Sequence, residues 1–177
     1  TEAFYIAGPT ASGKSALALA LARRIDGEIV NADAFQLYRG LDIVSAKPSP
    51  EERASVPHHL YDVLDLAELC DARRYAGMAA PVIAEIAARG RVPLVVGGAG
   101  LYIKALTHGL SDLPPGDPAL RERLAQLTLA EKTRWLLRLD PPAARTVALA
   151  NPRYVERALE ICLLTGRPQS ELRHQSQ

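Results

Sequence analysis

This chain of 177 residues lacks long hydrophobic runs, clustered cysteines and a strong net charge. No apolar stretch approaches the roughly 20 residues that cross a membrane. The N-terminus lacks the basic and apolar regions of a signal peptide, so we expect a cytoplasmic protein with no membrane segment. The two cysteines, Cys70 and Cys162, lack metal-type spacing and are expected to be reduced thiols. A formal net charge of +1 neither favours nor excludes nucleic acid, so any such surface must be local.

A glycine-rich segment near the start is the strongest motif. Residues 8–15, Gly-Pro-Thr-Ala-Ser-Gly-Lys-Ser, follow an apolar run and precede a helix-forming run. In such loops backbone N–H groups surround a phosphate, the next helix adds its positive end, a lysine adds charge and a hydroxyl holds Mg²⁺. The alternative is an incidental turn between a strand and a helix. The predicted diphosphate-binding residues are Gly8, Thr10, Ala11, Ser12, Gly13, Lys14 and Ser15, and Ser15 is also the predicted Mg²⁺ ligand.

Alternating strand and helix patterns predict an α/β protein of the P-loop type, with three α/β/α layers around a mostly parallel sheet. The apolar run 3–7 predicts a first, central strand that is buried on both faces. Beyond residue 118 the patterns are helical, which predicts an additional inserted or C-terminal helical segment. We expect a core over 1–110, an inserted helical segment over 111–150, and a helix returning to the core over 151–177.

One acidic residue is well placed at the end of a predicted strand. Strand 28–32 delivers Asp33 to the carboxyl edge of the sheet, where ligands gather in open α/β folds. The strand at 92–96 runs instead into Gly97 and Gly98, without the second carboxylate that P-loop nucleotide hydrolases use for Mg²⁺. This favours a small-molecule kinase, or a transferase that uses the loop for a pyrophosphate leaving group. The alternative role for Asp33 is that of a turn or N-cap aspartate.

A series of further segments, in the same order along the chain, resembles the tRNA dimethylallyltransferase family. These segments are residues 8–15, 31–43, 45–48, 57–60, 96–106, 112–115, 157–160 and 165–166. The resemblance implies transfer of a dimethylallyl group from dimethylallyl diphosphate to N6 of the adenosine 3′ of the tRNA anticodon, with release of diphosphate. The loop would then hold an isoprenoid diphosphate rather than ATP. We expect a monomer whose partners are the anticodon stem-loop and the isoprenoid donor.

The resemblance also implies roles for individual residues. Asp33 matches the family's proposed general base, while Lys14 and a Mg²⁺ ion at Ser15 would stabilise the leaving diphosphate. Segment 111–150 would face the RNA. The implied tRNA-binding residues are Asp33, Ala34, Phe35, Gln36, Ala99, Arg153 and Arg157. Helical periodicity places Arg153, Arg157 and Glu160 on the outer face of the last long helix, where plain solvated surface is the alternative.

Four other polar residues lie in family-like segments. Lys47 and Arg39 are candidates for phosphate contacts or for solvated surface. His58 and His59 are expected to be structural, because no cysteine or acid cluster accompanies them for metal binding.

The chain departs from the family at several positions. Ala99 stands where threonine is usual and Tyr154 where arginine is usual, and the family continues well beyond residues 165–168. Three alternatives stay open: prenylation of free adenine nucleotides, a small-molecule kinase, and a catalytically silent RNA-binding fragment.

Overall fold

Residues 2–110 and 113–174 are described by the computed structural model, in which the chain forms two units, Thr1–Gly109 and Leu110–Gln177. Asp112, which belongs to one of the family-like segments, lies outside the described residues. The finer division, with 111–150 inserted and 151–177 returning to the core, stays a prediction.

The first unit contains a four-stranded sheet in which every pair of neighbours is parallel. Its strand order is β1-β4-β2-β3. The strands are β1 (Phe4–Ala7), β2 (Gly27–Asn31), β3 (His58–His59) and β4 (Val92–Gly97). Because parallel neighbours need crossover connections, helices cover the sheet, and the predicted α/β fold is confirmed.

The prediction that β1 is a central strand buried on both faces is wrong. β1 pairs only with β4 and has no second neighbour among the residues that the structure describes. Phe4 is 62% exposed and Tyr5 37% exposed. A continuous apolar run predicts a strand with both faces covered, but such a run does not determine how many elements pack against the strand.

Helices pack on both faces of the other two long strands. They are α1 (Lys14–Ile25), α4 (Ala72–Ala88) and α5 (Gly100–His108), with the short helices α2 (Asp42–Ser45) and α3 (Pro50–Ser55) in the excursion after β2. Ile29, Leu94 and Val96 pack against α1. Val30 and Val95 point to the opposite face, where α4 contacts β2 and β4, and both are fully buried. Side chains alternate along a strand, so this is a three-layer arrangement.

The second unit is helical. Its elements are α6 (Pro118–Ala125), α7 (Leu129–Leu139), α8 (Ala143–Thr146), α9 (Pro152–Thr165) and α10 (Gln169–His174). Side-chain caps from Asp117, Thr128 and Asn151 begin three of these helices. Leu136, Leu159 and other apolar side chains of α6 to α9 form one buried cluster. None of the helices in the described parts of the chain is long and apolar enough to span a membrane.

Candidate active site

The predicted phosphate loop joins the end of β1 to the start of α1. Ala11 and Gly13 both have left-handed backbone conformations, with φ of 63° and 81°. Left-handed residues within such a turn aim successive N–H groups at one concave surface that binds anions. Gly13 is the N-cap of α1 and supplies no side-chain cap. The first N–H groups of this 12-residue helix therefore have no side-chain cap and are available to an anion bound in the loop.

Contacts across the loop hold it closed. Lys14 Nζ donates to the Pro9 carbonyl oxygen at 3.0 Å, and the Ser12 N–H donates to the same oxygen at 3.4 Å. A Cβ at Gly8 would lie 2.9 Å from Ser12 Oγ, so glycine at position 8 allows this closure. The Lys14 ammonium is thereby held against the loop, while Ser15 is exposed in the first turn of α1.

Asp33 lies two residues beyond β2 and is half-buried. Its N–H donates to Asn31 Oδ1 at 2.8 Å, and its own Oδ1 accepts from the Phe35 N–H at 2.9 Å. The second bond forms an Asx turn, so Asp33 does have the turn role that was the alternative interpretation of the sequence. It engages one carboxylate oxygen and leaves Oδ2 for an incoming proton. The turn role and a base role are therefore compatible.

The end of β4 lies against both the Asp33 backbone, at Gly97, and the phosphate loop, at Gly98. A Cβ at Gly97 would lie 2.1 Å from the Ala32 carbonyl carbon and 2.7 Å from Asp33 N, and one at Gly98 would lie 3.2 Å from the Gly8 carbonyl oxygen. The Ala99 N–H, at the start of α5, donates to the Ala32 carbonyl at 3.1 Å. Glycine is required at position 97, because a Cβ there would overlap the Ala32 and Asp33 backbone, while the contact at Gly98 is only tight.

Ala34, Phe35 and Gln36 form a turn directly after Asp33. The Phe35 ring is 65% exposed, and Ala34 is half-buried. Gln36 Nε2 donates to the Ser45 carbonyl at 2.7 Å and to that of Ala46 at 3.3 Å. The amide thus fastens the turn to the end of α2, while the exposed ring offers an apolar stacking surface. RNA contact by these residues and by Ala99 stays a prediction.

Lys47 is buried instead of lying at the surface. Its ammonium donates to Asp42 at 2.7 Å, to Asp62 at 2.5 Å and to the Tyr38 carbonyl at 2.6 Å. Burial works against the charge, but the hydrogen bonds to Asp42 and Asp62 outweigh it and raise the pKa of Lys47. All three N–H donors are used. Lys47 therefore links the segment after Asp33 to Asp62. It is neither a solvated surface residue nor free to contact a phosphate, the two roles considered from the sequence.

The other three polar residues of the excursion also have protein partners. Arg39 forms an exposed ion pair with Asp65 at 2.6 Å. A ring nitrogen of His58 lies 2.7 Å from the Val56 carbonyl, and one of His59 lies 2.6 Å from Glu28. Burial lowers the pKa of His58. No group of three or more potential metal ligands occurs in the described ranges. The structural role expected for both histidines stays a prediction, which their contacts to protein groups support.

Arg157 of α9 makes partners within its own unit. Its guanidinium donates to Glu160 and to the Pro114 carbonyl, each at 2.6 Å, and Arg121 reaches the same carboxylate at 2.9 Å. Glu160 is fully buried, so its predicted position on the solvated face is wrong. Burial alone would raise the pKa of Glu160, but the hydrogen bonds from Arg121 and Arg157 lower it, and this pairing makes burial tolerable. Arg153 is exposed; RNA contact by either arginine stays a prediction.

Sequence reasoning missed two residues beside Asp33. Asn31 is fully buried at the end of β2, and the Tyr75 hydroxyl of α4 donates to the Asn31 carbonyl at 2.9 Å. Tyr75 in turn stacks on Tyr102 of α5, with ring centroids 4.3 Å apart. The available signal was an asparagine closing an otherwise apolar strand, because asparagine is depleted in strands and its side chain bonds to nearby backbone.

A glycine-rich loop between the first strand and the first helix of a parallel α/β sheet defines a P-loop protein. Comparison with known proteins narrows this class. A family model described as IPP transferase matches residues 36–177, and one described as isopentenyl transferase matches residues 1–62. The first match covers most of the chain, and the chain belongs to the IPP transferase family.

Individual relatives agree with this assignment. The tRNA dimethylallyltransferase of Anaeromyxobacter sp. (strain K) is 54% identical over 171 residues, which cover 94% of this chain and 56% of that protein. The protein of the same name from Stenotrophomonas maltophilia is 47% identical over 175 residues, covering 96% and 55%. The chain thus spans about half the length of the curated relatives it matches.

Solved structures give the same picture. A tRNA isopentenylpyrophosphate transferase from Bacillus halodurans matches with 39% identity and a TM-score of 0.62, covering 94% of this chain and 57% of that one. A eukaryotic dimethylallyltransferase acting on tRNA matches with 30% identity and a TM-score of 0.81, covering 98% and 44%.

Proposed function

We propose that this protein transfers a dimethylallyl group from dimethylallyl diphosphate to N6 of the adenosine 3′ of the anticodon in tRNA, and releases diphosphate. It would act as a cytoplasmic monomer on the anticodon stem-loop. The observation that carries the proposal is that the end of β4 contacts both segments, the Asp33 backbone at Gly97 and the phosphate loop at Gly98. This supports a site in which an anion-binding loop and a carboxylate act at the same edge of the sheet. Family membership supports the choice of chemistry.

The phosphate loop serves the leaving group in this proposal. As the allylic C–O bond breaks, its electron pair and negative charge pass to the diphosphate. The loop N–H groups, the N-terminus of α1 and Lys14 stabilise this charge as it develops. Ser15 fits a Mg²⁺ ligand because its hydroxyl is exposed beside these groups, with further ligands drawn from diphosphate and water. Bound there, Mg²⁺ would neutralise part of the diphosphate charge.

Asp33 serves the acceptor. The adenine N6 nitrogen forms the new C–N bond and loses a proton, which Asp33 Oδ2 accepts while Oδ1 stays bonded to the Phe35 N–H. An adenine in a stacked anticodon loop must leave its stack to reach this edge. The exposed Phe35 ring and the neighbouring Ala34, Gln36 and Ala99 would surround it. Arg153 and Arg157 would contact RNA phosphates.

Incorporation of labelled dimethylallyl into tRNA tests the proposal. The chain is incubated with labelled dimethylallyl diphosphate, Mg²⁺ and tRNA that lacks the modification, and we expect label at the adenosine 3′ of the anticodon. Asp33→Ala should slow the chemical step while diphosphate affinity is retained, whereas Lys14→Ala should lose diphosphate affinity. Absence of label, or phosphate transfer from ATP in place of prenyl transfer, would refute the proposal.

Free adenine nucleotides are the second candidate acceptor. Ala99 lacks the hydroxyl that the family usually places at this turn, and the model matching residues 1–62 is described only as isopentenyl transferase. Parallel reactions with AMP and ATP separate the two acceptors. Label in AMP or ATP but not in tRNA would favour free nucleotides as the acceptor.

A further inference from the structure

We propose that Asn31 is a positioning residue that fixes the backbone on both sides of Asp33 and thereby sets the direction of its carboxylate. The catalytic consequence rests on the proposed function, since it needs Asp33 to be the base. The clamp, meaning the hydrogen bonds from the Asn31 side chain to the Asp33 N–H and carbonyl, can be tested without measuring enzymatic activity.

The Asn31 side chain is saturated by hydrogen bonds to two backbone segments. Oδ1 accepts from the Asp33 N–H at 2.8 Å, and Nδ2 donates to the Asp33 carbonyl at 3.1 Å and to the Leu60 carbonyl at 3.0 Å. A primary amide has two N–H donors, and both are used here. With oxygen and nitrogen exchanged, an acceptor would face two carbonyls, so these partners determine the orientation of the amide.

The two bonds to Asp33 lie on either side of its Cα. One holds the peptide before Asp33 and the other holds the peptide after it, so together they restrain φ and ψ. Those two angles set the direction of the Cα–Cβ bond, and with it the region that the carboxylate can reach. The bond to Leu60 ties the same amide to a residue in the left-handed conformation, with φ of 63°.

Asn31 is itself held firmly enough to act in this way. Its side chain is fully buried, its carbonyl accepts from the Tyr75 hydroxyl at 2.9 Å, and it pairs with Val96 in the sheet. A buried amide with every donor satisfied keeps a single geometry, because any other rotamer would leave polar atoms unpaired. The restraint on Asp33 therefore starts from a buried residue that the sheet and α4 hold in place.

Substitutions at position 31 and a neighbouring control test the role in catalysis. Asn31→Ala removes all three side-chain bonds, and we expect kcat to fall about 10- to 100-fold, since small misplacements of a catalytic group cost this much. The KM for dimethylallyl diphosphate should change little, because the phosphate loop is untouched. Asn31→Ser should recover part of kcat, because a serine hydroxyl can accept from the N–H two residues on. Val30→Ala removes buried volume from the same strand without touching Asp33, and should keep kcat near the wild-type value.

Hydrogen exchange of the Asp33 amide tests the clamp independently of turnover. This N–H should exchange at least about tenfold faster in Asn31→Ala than in Val30→Ala, because it has lost its acceptor. Unchanged exchange at Asp33, or a kcat for Asn31→Ala equal to that of Val30→Ala, would overturn the inference. If Asp33→Ala keeps full kcat, or the chain transfers no prenyl group, the proposed function fails, and the exchange measurement still decides the clamp.

Discussion

Alanine at position 97 would test whether the close approach of β2 and β4 builds the site. The added Cβ would lie 2.1 Å from both the Ala32 carbonyl carbon and its oxygen, and 2.7 Å from Asp33 N. Ordinary carbon contacts lie at roughly 3.5–4.0 Å, so the strand ends must separate by more than about 1 Å. The opposing atoms are backbone, which cannot turn aside as a flexible side chain can. We expect a loss of about 3 kcal/mol in unfolding free energy, at the upper end for overpacking.

The same separation should lower the rate of the chemical step, because the displaced residues are Ala32 and Asp33 itself. A shift of about 1 Å in a catalytic group costs on the order of 100-fold in rate. Gly77→Ala is the matched control, since a Cβ at Gly77 in α4 has no neighbour within 4 Å, and alanine there should stabilise by about 0.5–1 kcal/mol. Urea unfolding and single-turnover prenylation are measured for both variants. A Gly97→Ala protein with wild-type urea midpoint and wild-type rate would show that the strand ends do not constrain Asp33.

Three further substitutions have defined outcomes. Ala99→Thr gives α5 the side-chain cap that it lacks and should raise the unfolding free energy by about 1 kcal/mol; no gain in the urea midpoint would contradict this. The Glu160 carboxylate, whose pKa is lowered in the folded state, stabilises above its unfolded value of about 4.3, and this stabilisation is lost as pH falls through the lower folded value. Glu160→Gln should therefore destabilise by about 1–3 kcal/mol at pH 7 and progressively less as the pH is lowered below about 4, and a loss that does not change with pH would exclude a charge effect. Lys47→Met leaves Asp42 without a cation and Asp62 with Arg53 alone, so its urea midpoint should fall at pH 7, and an unchanged midpoint would mean that the two ion pairs of Lys47 add no net stability.

Local signals were sufficient to predict much of the first unit. The helix-forming run after the glycine-rich loop is confirmed as α1, because its apolar spacing, the glycine before it and the Asp-Gly pair after it are all local signals. The start of α3 is also encoded locally, by Ser49, the proline after it and Glu52, which form a capping box. Asp33 was placed at the ligand edge because a strand end determines that position regardless of tertiary detail.

Nonlocal partners explain what the sequence did not predict. Glu160 is buried because Arg121, 39 residues away, reaches its carboxylate, and helical periodicity alone assigns a glutamate to the solvent. Lys47 is buried because Asp62 comes from a different loop. The exposure of β1 depends on which elements pack beside it, and an apolar run carries no information about that.

The contacts that position Asp33 are mainly contacts to backbone atoms. The Ala99 contribution to the site is its N–H, which bonds to the Ala32 carbonyl whatever side chain residue 99 carries. Replacing the usual threonine by alanine therefore removes a cap and a hydroxyl but leaves this strand-end contact intact. Gly97 contributes by having no side chain, and Asn31 contributes through bonds to peptide groups. Of these three positions, a conservative change at 99 should reduce the prenylation rate least. The contact there is made by a backbone N–H, which every residue except proline has.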